Sequence, residues 1–131
     1  MRLLIVEDEL GIALAIEDVA IDAGFEITGI AGTMSEALEL GAEADIAIID
    51  VRLGDGLTGP SIARALFSGF GLGVVYFTVN PGLIENPEGR PVATMRTNPE
   101  RIVDALSMAA KNAAQERIAS RAGLPSTERL R

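Results

Sequence analysis

The sequence predicts one α/β domain in which a five-stranded parallel sheet is covered by helices on both faces. Three observations carry this expectation. Short apolar runs rich in branched residues recur along the chain and lack polar alternation, as strands buried on both faces do. Between them, apolar residues return at steps of three and four, the period of a helix laying one stripe on a core. Each strand then closes on a polar residue, and in parallel sheets ligands bind beyond those carboxyl ends.

The elements follow in order. Arg2 to Val6 is the first strand and stops at Glu7, Asp8 and Glu9. Ile12, Ile16, Val19, Ala20 and Ala23 mark a helix from Leu10, with Gly24 at C′. Phe25 to Ile30 is the second strand, with Phe25, Ile27 and Gly29 on one side. Thr33 and Glu36 form a capping box for a helix reaching Leu40, which Gly41 stops. Asp45 to Val51 is a third strand whose apolar run is broken by Asp50. Gly54 to Gly59 is loop chemistry, Pro60 suits the first position of a helix carrying Ile62, Ala63 and Leu66, and glycines 69, 71 and 73 end it. Val74 to Thr78 is the fourth strand. The prolines and glycines of 80–91 leave room for one helical turn, a short or irregular fourth helix. Val92 to Met95 is a short fifth strand. Asn98 then caps a long last helix with Pro99 at its start, reaching as far as Arg121.

Composition narrows the chemistry. With 131 residues and 48% apolar content the chain fills one domain, expected over 1–122, with a tail at 123–131. The net charge of -8 argues against direct nucleic-acid or membrane-surface binding. Cysteine and histidine are both absent, which removes disulfides, thiolate sites and imidazole-dependent triads. The apolar stretch from Gly69 to Val79 is far short of the roughly 18 residues of a membrane span. A cytoplasmic protein is expected.

Glu7 and Asp8 after strand one, Asp50 after strand three, Thr78 after strand four and Arg96 after strand five all converge on one edge of the sheet. Three carboxylates so close repel one another unless a hard divalent cation neutralises them. Magnesium fits, because it takes a few carboxylates with waters and a phosphate as its remaining ligands. A hydroxyl and a guanidinium opposite complete a phosphoryl site, in which Asp50 can act as nucleophile. Taken singly, Glu7 to Glu9 is also an ordinary acidic turn before a helix, and Thr78 an ordinary strand-end hydroxyl.

The segments LLIVEDE at 3–9, DIAIIDVRLGDGLTGPSIARAL at 45–66 and VVYFT at 74–78 resemble the receiver domain of two-component response regulators. That resemblance implies a flavodoxin-like, three-layer doubly wound sheet of strand order 2-1-3-4-5. It implies that Asp50 accepts a phosphoryl group from a phosphohistidine on a histidine kinase or histidine phosphotransfer protein. It assigns Asp8, Asp50, Glu7 and the backbone carbonyl of Arg52 to a Mg2+ ion, and Thr78 and Arg96 to phosphate binding and switching. Arg52 and Asn80, two residues beyond Asp50 and Thr78, are candidates for setting phosphate lifetime. The chain departs from the family where Arg96 and Thr97 replace a lysine and proline, where Ala93 replaces an aromatic residue, and in the shortened stretch between Thr78 and Arg96. In that stretch it resembles an alphaproteobacterial subset that includes stress-response regulators.

The resulting expectation is a stand-alone response regulator, not an enzyme, that switches protein contacts or relays phosphate to an unidentified downstream protein, with room for a homodimer. The alternative is a pseudo-receiver, an interaction module on the same fold that works without phosphorylation. A dehalogenase-like phosphatase also uses an aspartate with magnesium, but it needs a second carboxylate where this chain has Arg52.

Overall fold

The computed structural model describes residues 1–54, 58–78, 90–94 and 99–121. The elements are β1 (Arg2–Val6), α1 (Leu10–Asp22), β2 (Glu26–Ala31), α2 (Met34–Gly41), β3 (Ile46–Asp50), α3 (Gly59–Phe70), β4 (Gly73–Thr78), β5 (Val92–Thr94) and α4 (Pro99–Arg121). The five strands form one parallel sheet in the order β2-β1-β3-β4-β5. This is the doubly wound arrangement expected, with strand order reversing beside β1. The expected turn of helix between β4 and β5, the cap at Asn98 and the tail at 123–131 lie outside the described residues.

Strands β1, β3 and β4 are buried almost throughout because helices cover both faces. On one face Leu4, Val6, Ala47, Ile49, Val74 and Tyr76 pack with Ala37 of α2 and Ile62, Ala63 and Leu66 of α3. On the other, Leu3, Ile5, Ile46, Ile48, Val75 and Phe77 pack with Ala13, Ile16 and Ala20 of α1 and Ile102, Leu106 and Ala109 of α4. Alternate residues of each strand thus feed two separate cores.

Several local expectations are corrected. Strand β2 does not alternate simply, because its register jumps from Leu3↔Ile27 to Leu4↔Gly29 and leaves Thr28 as a bulge. Ile27 and Ile30 therefore both pack on the α1/α4 core, and Gly29 faces α2, where an added Cβ would stand 2.8 Å from Leu40. Gly41 belongs to α2 itself: a Cβ there would lie 2.7 Å from Leu66 and 3.0 Å from Phe70, so it permits close approach of α2 and α3. The first residue of α3 is Gly59, with Pro60 second. Gly24 and Gly71 do take the positive φ values, 91° and 69°, that close α1 and α3.

The capping box at α2 is present with one rearranged arm. Thr33 Oγ1 accepts from the Glu36 amide at 3.2 Å, while Glu36 Oε1 accepts from the amide of Gly32 and the hydroxyl of Thr33, both at 3.2 Å. The return bond reaches one residue further back than in the simple motif. Thr33→Ala removes both hydroxyl bonds and is expected to cost about 1 kcal/mol, seen as a lower urea midpoint at unchanged slope.

Candidate acidic site at the strand ends

Neighbouring strands β1 and β3 are paired so that Val6 stands beside Ile49, which brings the residues that follow, Glu7 and Asp50, together at the carboxyl edge. Carboxylate oxygens of Glu7, Asp8 and Asp50 all lie within 4.8 Å of one another. Glu7 is the most enclosed of the three, at 3% exposure, whereas Asp50 is half-buried and Asp8 exposed. Glu7 Oε1 accepts from the Glu9 amide at 3.0 Å, and its other oxygen is buried with no hydrogen-bond partner.

Such a group cannot hold three negative charges cheaply. Burial first, then the close approach and charge of the Asp50 carboxylate and the charge of Asp8, push Glu7 up to about 8, against an opposing pull from the Glu9 amide. Without a cation, Glu7 therefore keeps a proton at neutral pH. The unpartnered oxygen and the clustered carboxylates are the donor set a hard divalent cation requires, and a magnesium ion would be held by Glu7, Asp8 and Asp50.

Between the ordinary value of 4.5 and about 8, the cation-free folded protein binds a proton that the unfolded chain has released. Stability contributed by protonated Glu7 is thus present below 4.5 and lost as pH rises toward 8. Thermal melts in chelator are expected to fall across that window, to flatten in Glu7→Gln, and to recover at the alkaline end when magnesium is added.

The chain beyond β3 shapes the rest of the site. Asp50 Oδ1 accepts from the Arg52 amide at 3.1 Å, which orients the carboxylate, and the Arg52 side chain is exposed. The amide of Val51 donates to the Phe77 carbonyl, and the amide of Gly59 to the Val51 carbonyl, both at 3.2 Å. These bonds tie the turn after Asp50 to β4 on one side and α3 on the other. Thr78 is buried at the end of β4, one residue past Phe77, the register partner of Asp50. Arg96 and Asn80 lie outside the described residues.

Two glycines of the Gly54–Gly59 stretch, expected as loop formers, prove to be tightly packed against the site. A Cβ on Gly54 would stand 2.8 Å from Asp8 Oδ2. A Cβ on Gly59 would collide with the backbone of Asp50 and Val51. Their positions four and nine residues after Asp50 were visible in the sequence, but a glycine needed for close approach looks the same there as one needed for a turn. Beside the carboxylates a cavity of about 500 Å³, lined in part by Glu7, Asp8, Gly32, Glu36 and Gly54, opens toward the β2–α2 junction.

No family model matches the chain. It is 30% identical over 83 residues to the phyllosphere-induced regulator PhyR of Methylorubrum extorquens, a match covering 61% of this chain and 31% of that protein. It is similar to the receiver domain of the response regulator PhyR from Erythrobacter litoralis, with 26% identity over 82% of this chain and 88% of that one and a TM-score of 0.74. It is also similar to the anti-anti-sigma factor PhyR from Bartonella quintana, with 25% identity over 94% of this chain and 51% of that one and a TM-score of 0.74. The chain thus spans about a third of the curated relative and half of the Bartonella protein. These relatives are named as a regulator, a response regulator and an anti-anti-sigma factor. Among the described residues no helix is long and apolar enough to cross a membrane. Strand order, the carboxylates at the switch point and the likeness in sequence agree: this chain has the receiver fold of response regulators and is similar, within it, to the receivers of PhyR.

Proposed function

We propose that the chain is a phosphoryl-accepting receiver in which Asp50 is the acceptor. The observation that carries this reading is the grouping of Glu7, Asp8 and Asp50 within 4.8 Å at the switch point of a doubly wound sheet. A carboxylate oxygen of Asp50 attacks phosphorus of a phosphohistidine on a histidine kinase or phosphotransfer protein. The new P–O bond forms as the P–N bond breaks, and the imidazole leaves with the electron pair and takes up a proton. The Arg52 amide holds the Asp50 carboxylate in orientation for attack. When bound to Glu7, Asp8, Asp50 and the Arg52 carbonyl, Mg2+ supplies charge neutralisation to the phosphoryl oxygens. The Thr78 hydroxyl and the Arg96 guanidinium then engage the nearly two added negative charges. The exposed Arg52 side chain, with Asn80, governs the approach of water and so the lifetime of the acyl phosphate.

Output is a protein contact in the cytoplasm or onward phosphate relay. The Bartonella relative is described as an anti-anti-sigma factor, which supports a protein partner downstream. One observation favours a second reading: position 93, where receivers carry a switch aromatic, is a buried alanine at 2% exposure, as a phosphorylation-independent module would tolerate. Incubation with acetyl phosphate and Mg2+ followed by intact-mass measurement separates the two. A gain of one phosphoryl group supports the acceptor; an unchanged mass supports the pseudo-receiver.

A further inference from the structure

Tyr76 is the single tyrosine of the chain, and its side chain is buried at 1% exposure between the sheet and α3. A buried phenol needs a partner for its hydroxyl. Arg90 supplies one, its Nη1 donating to the Tyr76 hydroxyl at 3.5 Å. The same guanidinium stands over the ring of Phe67 in α3, 5.6 Å from its centre, where the ring face attracts a cation. The next residue, Pro91, accepts from the Tyr76 amide at 2.9 Å. Tyr76 is therefore gripped at its backbone and at its side-chain tip by two consecutive residues that lead into β5.

The location matters for the site. Residues two apart on a strand share a face, so Thr78 follows Tyr76 on the same side of β4. Tyr76 is the register partner of Ile49, immediately before Asp50. Helix α3 begins against the Asp50–Val51 backbone and carries Phe67 two turns further on. One arginine thus joins α3, β4 and the residues that lead into β5, entering from the Val74 side of Tyr76 and meeting β4 two residues before Thr78, in a chain whose fifth strand has Ala93 and no aromatic residue.

The geometry points to Arg90 and Tyr76 as positioning residues: a clamp on β4 at Tyr76 that, through the two residues that follow on the strand, sets where the Thr78 hydroxyl stands at the acceptor site. The clamp rests on the phosphoryl reading for its purpose but not for its existence. Its atoms are the guanidinium fork and the phenol hydroxyl, so Tyr76→Phe removes the bond to Arg90 and keeps the ring, Arg90→Ala removes the fork, and Arg90→Lys keeps the charge without the planar geometry.

Two readouts test it. In the unphosphorylated protein, amide hydrogen exchange at Phe77 and Thr78 is expected to quicken about tenfold in Arg90→Ala while Ile48 in the core is unchanged, a local opening rather than a global loss. With acetyl phosphate and Mg2+, phosphorylation is expected to slow about tenfold in Arg90→Ala, less in Tyr76→Phe, and to recover in part in Arg90→Lys, as a small misplacement of a reacting group predicts. Exchange at Thr78 that matches wild type overturns the clamp. If wild type itself takes up no phosphoryl group, the acceptor reading fails and exchange alone decides the clamp. Equal phosphorylation rates with altered exchange overturn its role at the site.

Discussion

Asp50→Asn is expected to abolish phosphoryl uptake from acetyl phosphate and Mg2+ completely, while leaving the fold intact. Asparagine has nearly the shape of aspartate, and its amide oxygen can still accept from the Arg52 amide at 3.1 Å, so the turn after β3 keeps its orienting bond. What disappears is the anionic oxygen that attacks phosphorus and one charge of the cation's donor set. The same substitution has a second consequence that loss of a mere surface charge would lack. The nearby charged carboxylate of Asp50 helps push Glu7 up to about 8, so its removal lets Glu7 ionise more readily. Each unit by which Glu7 falls back is about 1.4 kcal/mol at alkaline pH, and the cation-free variant is expected to melt higher than wild type there. Mass spectrometry and melts in chelator read the two effects separately. Retained phosphorylation in Asp50→Asn would place the acceptor elsewhere.

Gly59→Ala is expected to destabilise the protein by about 3 kcal/mol and to impair the acceptor with it. The added Cβ would meet the Asp50 carbonyl and would stand 2.7 Å from Val51 Cα and 2.9 Å from the Val51 carbonyl oxygen. These are backbone atoms and cannot rotate aside as a side chain would. Either α3 must move out, breaking the bond from the Gly59 amide to Val51, or the turn carrying Asp50 must shift. Gly69, near the other end of the same helix, is the control, because a Cβ there would meet nothing within 4 Å. Gly69→Ala is expected to stabilise by about 0.5–1 kcal/mol through helix propensity alone. Urea unfolding of the two variants checks the contrast, and equal midpoints would refute the packing argument.

The two kinds of glycine show what a linear reading can and cannot do. Gly24 was legible as a helix end, and Gly71 only as one of three glycines expected to end α3, of which Gly69 lies inside the helix and Gly73 opens β4; the need for positive φ is local and leaves a local trace. Gly41, Gly54 and Gly59 were not, because each is required by a neighbour distant in sequence or by how the chain folds back on itself: Leu66 and Phe70, Asp8, and the Asp50–Val51 backbone. The bulge at Thr28 escaped for the same reason. Alternation predicts a face only while register holds, and register is set by the partner strand.

The candidate site divides along the same line. That Glu7, Asp8 and Asp50 would meet, on the edge where β4 ends at Thr78, could be read from the chain, since apolar runs too short for helices, each ending in a polar residue, have few ways to pack, and a parallel sheet puts their ends on one edge. What the carboxylates do to one another was decided by tertiary structure. Glu7 and Asp8 are adjacent in sequence and carry the same carboxylate group, yet one is enclosed against Asp50 with an unpartnered oxygen and the other is exposed. Charge state depends on burial and on distances between groups brought together from separate strands, and neither quantity exists until the sheet has formed. The same holds for Arg90, an unremarked residue beside a proline in the sequence, whose contacts with Tyr76 and Phe67 arise only once β4, α3 and the start of β5 are assembled.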